Sequence, residues 1–351
     1  MSVYEYIGNL HVHTVYSDGK ALHADVARAA GKAGLHFVVC TDHNVWVDGV
    51  EGYYENTLLL VGEEIHDVRL QPQSNHLLVY NTQTELSPKA SAPQALIDEV
   101  NRRGGVAYIA HPFEYSSPVQ PGLDAIPWTD WDVTGYAGLE IWNTMSEFKA
   151  LMRNKLAALI YTTFPAWGIT GPFQATLRLW DDLLAQGKRV AAIGNADAHG
   201  NEYSVGKSKR TLLPYDYLFR CVNTHILTER PFNGILEHDR ALVYSALRAG
   251  RTFVGYDLPA PTAGFRFTAR SGSNVALMGD EIVRTGATIF EIQAPDTAHI
   301  RLVCNGKTVV TEHGTALKHT TAEPGVYRVE VYRTYQLSRR GWIFSSPIAV
   351  V

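Results

Sequence analysis

Two textures of hydrophobic patterning divide the chain. Up to residue 258, short apolar runs alternate with stretches whose apolar positions recur every three or four residues, the signature of strands alternating with helices. The run 4–10 leads into His11, and a helix is expected over 22–33, with Gly34 where a left-handed cap would fall. The run 36–40 ends at Thr41-Asp42-His43, 58–61 at Gly62-Glu63-Glu64, and 76–80 reads as a further strand. A helix over 92–103 stops at Gly104-Gly105, and the buried strand 106–110 follows, ending at His111-Pro112. The strand 139–142, a helical stretch over about 146–160, another over 175–186 and the strand 190–194 complete the series, which runs into Asn195-Ala196-Asp197-Ala198-His199. So many strands alternating with helices predict an α/β fold with a mainly parallel sheet closed into a barrel.

Past a proline-containing linker at 259–264, helical periodicity disappears. Short alternating runs take over at 265–269, 288–294, 300–304, 326–332 and 342–351, with Asn305-Gly306 as a hairpin-turn signal between two of them. This part, 259–351, reads as a small antiparallel β-sandwich following a domain at 1–258, the alternative being that its strands extend the first domain's own sheet.

Composition narrows the chemistry. A formal charge of −4 over 351 residues gives no overall basic field, which argues against an extended nucleic acid as partner and leaves a small anionic substrate allowed. Cys40, Cys221 and Cys304 are odd in number and far apart, which suits neither a disulfide framework nor a zinc knuckle. With no secretory-type leader and no apolar stretch of membrane-spanning length, a soluble cytoplasmic protein is expected.

The segment 9–19, NLHVHTVYSDG, holds the first candidate chemistry. Alternation along a strand points His11 and His13 to the same side, and Gly19 lets the chain turn so that Asp18 returns towards them. His43, Glu64, His76, His111, Asp197 and His199 likewise fall at or near the ends of expected strands, where an α/β barrel builds its site. Six histidines and three carboxylates suffice for two or three metal ions when carboxylates bridge. Only one of Glu63 and Glu64 can face such a centre. Asp42 reads as an orienter of a ligand histidine, Glu140 and Asn143 as rim residues, His23, His36, His66 and His225 as structural or surface positions, and His238 as part of a helix amino terminus. The proline-rich stretch 113–133, with Trp128 and Trp131, is a long loop that either covers the site or packs on its own tryptophans.

In order along the chain, HVHTVYSDG, CTDHN, VGEEI, NHLLVYN, AHPF and NADAHG resemble the successive motifs of the PHP (polymerase and histidinol phosphatase) superfamily. The resemblance covers about residues 4–254 and implies a distorted (β/α)7 TIM-like barrel holding two or three divalent ions of zinc, manganese or iron. It implies one metal on His11, His13, Glu64 and Asp197, a second on Asp18, His43 and His199, and a third on Glu64, His76 and His111. The choice of Glu64 over Glu63 follows the family's Gly-x-Glu pattern. In the tail, VYSALRAGRTFVG, VYRVEVYR and WIFSSPIAVV resemble the carboxyl-terminal portion of a PHP subgroup that includes carbaryl-hydrolase-like enzymes.

A water bridging two divalent ions ionises near neutral pH, so hydrolysis needs no side-chain nucleophile. The expected activity is metal-dependent hydrolysis of a small phosphorylated metabolite or nucleotide, with Asp18, Asp197 and His199 as catalytic groups and Lys207, Lys209 and Arg210 as phosphate contacts. The alternatives are a carboxylic or carbamate ester hydrolase and a non-catalytic binding protein.

Overall fold

The structure, a computed structural model, describes residues 3–119, 124–205 and 208–351. Strand β1 (Tyr4–Asn9) is followed by α1 (His23–Lys32), β2 (Phe37–Cys40), β3 (Gly52–Tyr54), β4 (Thr57–Ile65) and β5 (Leu77–Tyr80). Next come α2 (Pro93–Arg102), β6 (Val106–Ile109), β7 (Gly138–Asn143), α3 (Thr144–Leu151), α4 (Lys155–Thr163), α5 (Gln174–Ala185) and β8 (Ala191–Asn195). Every residue of β2, β4, β5, β6, β7 and β8 is buried, as near-continuous apolar runs covered on both faces must be. The helical stretch expected over 146–160 is two helices: Met152 leaves helical geometry, and the Asn154 side chain accepts from Ala157 N to cap a new start.

The architecture is mixed α/β around one large sheet. β1 pairs parallel with β2, β2 with β4, β6 with β7 and β7 with β8, whereas β5 runs antiparallel to both β4 and β6. The expected closed barrel is not formed. A hairpin, β9 (Glu202–Val205) and β10 (Ser208–Thr211), and a short helix α6 (Tyr215–Leu218) lead to β11 (Val222–Thr228), which takes the free edge of β1 in antiparallel register from Tyr4↔Thr228 to Gly8↔Thr224. β8 is left with an isolated bridge, Val12↔Ala198, beyond the strand ends. Side-chain amides fill the gap: Leu10 N donates to Asn195 Oδ1 at 2.9 Å and Ala196 N to Asn9 Oδ1 at 3.2 Å. The sheet is therefore open between β1 and β8, yet both strands deliver their following residues to the same place.

Helix α7 (Leu236–Ala249), ended by Gly250 at φ 66°, leads to β12 (Thr252–Tyr256), which pairs with β11. The tail contributes β13 (Arg266–Ser271), β14 (Asn274–Leu277), β15 (Glu281–Ile282), β16 (Thr288–Cys304), β17 (Lys307–Thr321), β18 (Gly325–Tyr335), β19 (Ser338–Ser345) and β20 (Ile348–Val350). The runs expected at 288–294 and 300–304 are one strand, β16, which absorbs the interruption at Pro295 through a register shift between Gln293 and Ala298. Asn305 and Gly306 turn β16 into β17 with φ of 47° and 77°, the doubly left-handed geometry of a type I′ turn. Phe267, Phe290, Ile300, Val329 and Trp342 form a second core, while Phe344 of β19 joins the first. β19 also pairs with β12, making the sheet continuous.

Candidate metal centre

The site is assembled past the strand ends. After β1, His13 N donates to Ala198 O at 2.9 Å, and the Tyr215 hydroxyl donates to the carbonyls of His13 and His199, each at 2.8 Å. Asp18 returns through a tight turn in which Gly19 N donates to Thr14 O at 2.9 Å. A Cβ on Gly19 would lie 2.3 Å from the His13 carbonyl oxygen, so this turn admits glycine alone. Asp42 holds the turn rather than a histidine ligand: its carboxylate accepts from Thr14 N, Thr14 Oγ1 and Ser17 Oγ, each at 2.7 Å.

At the middle stands Glu64. Its Oε2 lies 3.1 Å from His11 Nε2, 3.2 Å from His13 Nε2 and 3.1 Å from His43 Nδ1, and its Oε1 lies 2.7 Å from His76 Nδ1 and 3.1 Å from His111 Nε2. Glu63 faces the other way and accepts from Leu86 N at 3.0 Å. Asp197 Oδ1 is 3.4 Å from His11 Nε2, 3.1 Å from His13 Nε2 and 3.6 Å from His199 Nδ1, and Asp18 Oδ2 is 3.3 Å from His199 Nε2. Despite this crowding, His11 Nε2, His13 Nε2, His43 Nδ1, His76 Nε2 and His111 Nδ1 are buried without a hydrogen-bond partner. Donor atoms sharing one ion at ~2.0–2.2 Å are held roughly 3.0–3.4 Å apart, so several of these spacings suit a common cation better than an N–H···O bond. Four sets could close on an ion: His11, His13 and Asp197; His11, Glu64 and His111; His13, Asp18, His43 and His199; and His43, His66 and His76.

Surrounding groups fix the ligand rings. His11 Nδ1 donates to Glu140 Oε1 at 3.0 Å, leaving Nε2 bare towards Glu64 and Asp197. Glu140 also accepts from His111 N at 3.1 Å, Asn143 Nδ2 at 2.9 Å and Asn195 Nδ2 at 3.0 Å. His199 Nδ1 donates to the Asp197 carbonyl at 2.8 Å, turning Nε2 to Asp18. His111 and Asp197 sit at positive φ, 23° and 55°. Such strain at non-glycine residues persists where neighbours hold it, as Glu140 holds the His111 amide.

The electrostatics point the same way. Burial works against the charge on Glu64 and Asp197, but the imidazoles around them outweigh it and hold both carboxyls well below their usual range. Burial likewise works against protonated His11, His13 and His111, yet the carboxylates raise His11 well above its ordinary value, His13 to about 10 and His111 to about 9. For His43 burial prevails, with a push from His13, and its pKa falls to about 3. A buried cluster whose carboxylates draw positive charge onto His11, His13 and His111 this strongly matches a set of cation ligands. It opens on one side, where Asp18, His43 and His199 are 55%, 25% and 14% exposed.

His66 departs from the sequence expectation. Its ring stacks on His76 at 4.1 Å and its buried Nδ1 has no partner, so it belongs to the cluster. The signal was Glu64-x-His66: residues two apart share a strand face. His23 is buried beside Asp42, His36 accepts from Ile7 N, His238 lies in the first turn of α7 and His225 packs between Glu5 and Thr262, all outside the centre. Trp128 is buried, donates to Asp130 O at 2.6 Å and meets Trp131 edge-on, so this end of the long loop packs on its own tryptophans. Lys207 lies outside the described residues, and Lys209 and Arg210 lie on β10, of which the backbone alone is described.

No protein-family model and no curated protein matches the chain. Among solved structures, a two-domain protein from Bacteroides vulgatus ATCC 8482, containing a region assigned by prediction as a PHP-like metal-dependent phosphoesterase, aligns over 98% of this chain and 95% of its own, at 14% identity and a TM-score of 0.43. A protein from Bifidobacterium adolescentis ATCC 15703, assigned by inference as a metal-dependent phosphoesterase, covers 59% of this chain and 95% of its own, at 16% identity and a TM-score of 0.33. At these values neither likeness bears on the chemistry. Among the described residues no helix is long and apolar enough to cross a membrane.

Proposed function

We propose that this chain is a metal-dependent phosphoesterase of the PHP superfamily, acting on a small phosphorylated metabolite or nucleotide. The observation that carries this reading is Glu64 ringed by five imidazoles at 2.7–3.2 Å, with ring nitrogens of His11, His13 and His43 buried and unpartnered. The strands β1, β2 and β4 to β8 are read as the superfamily's (β/α)7 barrel, distorted by the gap between β8 and β1. Residues 1–258 are read as the catalytic domain and 259–351 as a β-sandwich.

In this reading His11, His13, Glu64 and Asp197 hold one divalent ion, Asp18, His43 and His199 a second, and Glu64, His76 and His111 a third, of zinc, manganese or iron. Bound there, such ions supply an activated water and neutralise charge on a phosphoryl oxygen. The protein's own part is orientation: Glu140 fixes the His11 tautomer, the Asp197 carbonyl fixes that of His199, and Asp42 braces the turn carrying Asp18. A leaving oxygen would take its proton on the open side of the centre, from His199 or from water, and Lys207, Lys209 and Arg210, which follow His199 in sequence, would serve as phosphate anchors.

The test is p-nitrophenol release by manganese- or zinc-reconstituted protein from a phosphate monoester, a phosphate diester and an acetate ester, beside Asp197→Ala. Metal-dependent phosphate ester cleavage, lost in Asp197→Ala, is expected. Cleavage of the acetate alone, equally dependent on Asp197, would replace this reading with a carboxylic or carbamate ester hydrolase.

A further inference from the structure

A cleft lies between helix α5 and the tail strands β16, β18 and β19. It comprises two cavities of about 370 and 400 Å³ whose walls share Gln174, Leu177, Tyr332 and Arg339, large enough together for a small metabolite. Arg178 and Arg301 line the first cavity, Arg153 the second, and Arg339 both. Among the described residues Arg153, Arg178 and Arg339 form no ion pair, and the carboxylate nearest Arg301 is Glu330, at 3.9 Å. Arg301 and Arg339 lie instead over the Tyr332 ring, at 4.7 and 5.4 Å.

The carboxylates in the first cavity are already engaged. Arg328 is buried over Trp180 and donates to both Asp181 oxygens at 2.7 and 2.8 Å and to Glu330 at 2.7 Å. The Tyr332 hydroxyl donates to the remaining Glu330 oxygen at 2.8 Å. Glu147, on the second cavity, is buried and accepts from Trp142 Nε1, Thr170 N and Thr170 Oγ1. Asp181 and Glu330 share the single charge of Arg328, and Glu147 accepts from neutral donors, so around the two cavities five guanidinium groups stand against three carboxylates and the lining keeps an excess of positive charge. In a chain of net charge −4, an aromatic-backed cleft with unmatched arginines selects an anion with planar acceptor edges, which guanidinium binds with paired hydrogen bonds.

We propose that this cleft is a second anion site, separate from the metal centre, that takes a phosphoryl group of a small molecule. The group is either free phosphate or the non-scissile phosphoryl of a bisphosphorylated substrate, and the latter source rests on the phosphoesterase reading.

The experiment is calorimetric titration of metal-loaded protein with inorganic phosphate, comparing wild type with Arg301→Gln/Arg339→Gln and with Arg301→Lys/Arg339→Lys. Near-ultraviolet circular dichroism checks that each variant is folded. Wild type is expected to bind phosphate in two phases, one of them weakened tenfold or more in the glutamine variant and partly restored by lysine. Phosphate binding that is indifferent to both variants, in one phase or two, overturns the proposal. Steady-state kinetics on a sugar monophosphate and a sugar bisphosphate then separate the sources. A KM increase confined to the bisphosphate marks the substrate's second phosphoryl, and unchanged KM for both marks free phosphate. Should wild type hydrolyse no phosphate ester and still show the arginine-dependent phase, the phosphoesterase reading falls and the anion site stands.

Discussion

Replacing Glu63 and Glu64 one at a time with glutamine separates what β4 does for the fold from what it does for the metal centre. Glu63 is buried with one oxygen unpartnered, and burial raises its pKa to about 8, against an ordinary 4.5. For a carboxyl with a raised folded-state pKa, the stabilising contribution is complete below about 4.5 and is lost as pH rises towards 8. At ~1.4 kcal/mol per unit, keeping the group protonated in the fold while it ionises in the unfolded chain costs on the order of 3 kcal/mol at pH 7. Glu63→Gln removes this penalty, so its melting temperature should match wild type near pH 5 and exceed it by on the order of 5 °C at pH 8. Bound metal should not change. Glu64→Gln takes one anion from among five imidazoles, and metal retained after dialysis should drop together with turnover. Scanning calorimetry across pH and metal analysis of the same samples read both arms. Parallel melting curves for Glu63→Gln and wild type, or loss of metal from Glu63→Gln rather than Glu64→Gln, would refute the assignment of faces.

Other outcomes follow from the same geometry. His11→Ala should lower bound metal and hydrolysis together, and full activity with unchanged metal content would remove His11 from the centre. Glu140→Gln, which disturbs the tautomer of His11 without touching an ion, should weaken metal affinity roughly 10–100-fold by competition with a chelator, whereas unchanged affinity would leave Glu140 a packing role. Metal binding should release protons near pH 7, because the pKa of His13 stands at about 10 and that of His111 at about 9 before an ion displaces the proton; calorimetry in buffers of different ionisation enthalpy would show none if those rings are already bare.

Much of this was legible because strand ends announce themselves. Buried runs such as Phe37–Cys40 and Leu77–Tyr80 are apolar throughout, and the polar residues after them stand out. Closure was not legible. Whether β8 or β11 takes the edge of β1 is settled by residues far apart in sequence, including the amides of Asn9 and Asn195 that fill the gap. The split between α3 and α4 was written at Asn154, but a cap inside an apolar periodic stretch is easily outweighed by the periodicity around it. Asp42 was expected to serve a histidine and serves a turn, since short-range sequence does not say which of several nearby donors a carboxylate will reach.

The place of β1 also dictates a timetable. Its partner β11 lies about 220 residues downstream, and His11 and His199 are about 190 residues apart. At roughly 5–20 residues per second, β11 is synthesised on the order of 10–40 s after β1. Through that interval β1 can pair with β2 alone, one of its edges is open, and although His43, Glu64, His76 and His111 emerge early, Asp197 and His199 are among the last of the cluster to be made. In the proposed arrangement the ligand set is thus completed late, once Asp197 and His199 have been made and brought beside His11 and His13. Recovery of loaded protein, from ribosome or denaturant, should depend on how fast the first and eleventh strands find each other, not on how much metal is supplied at the start.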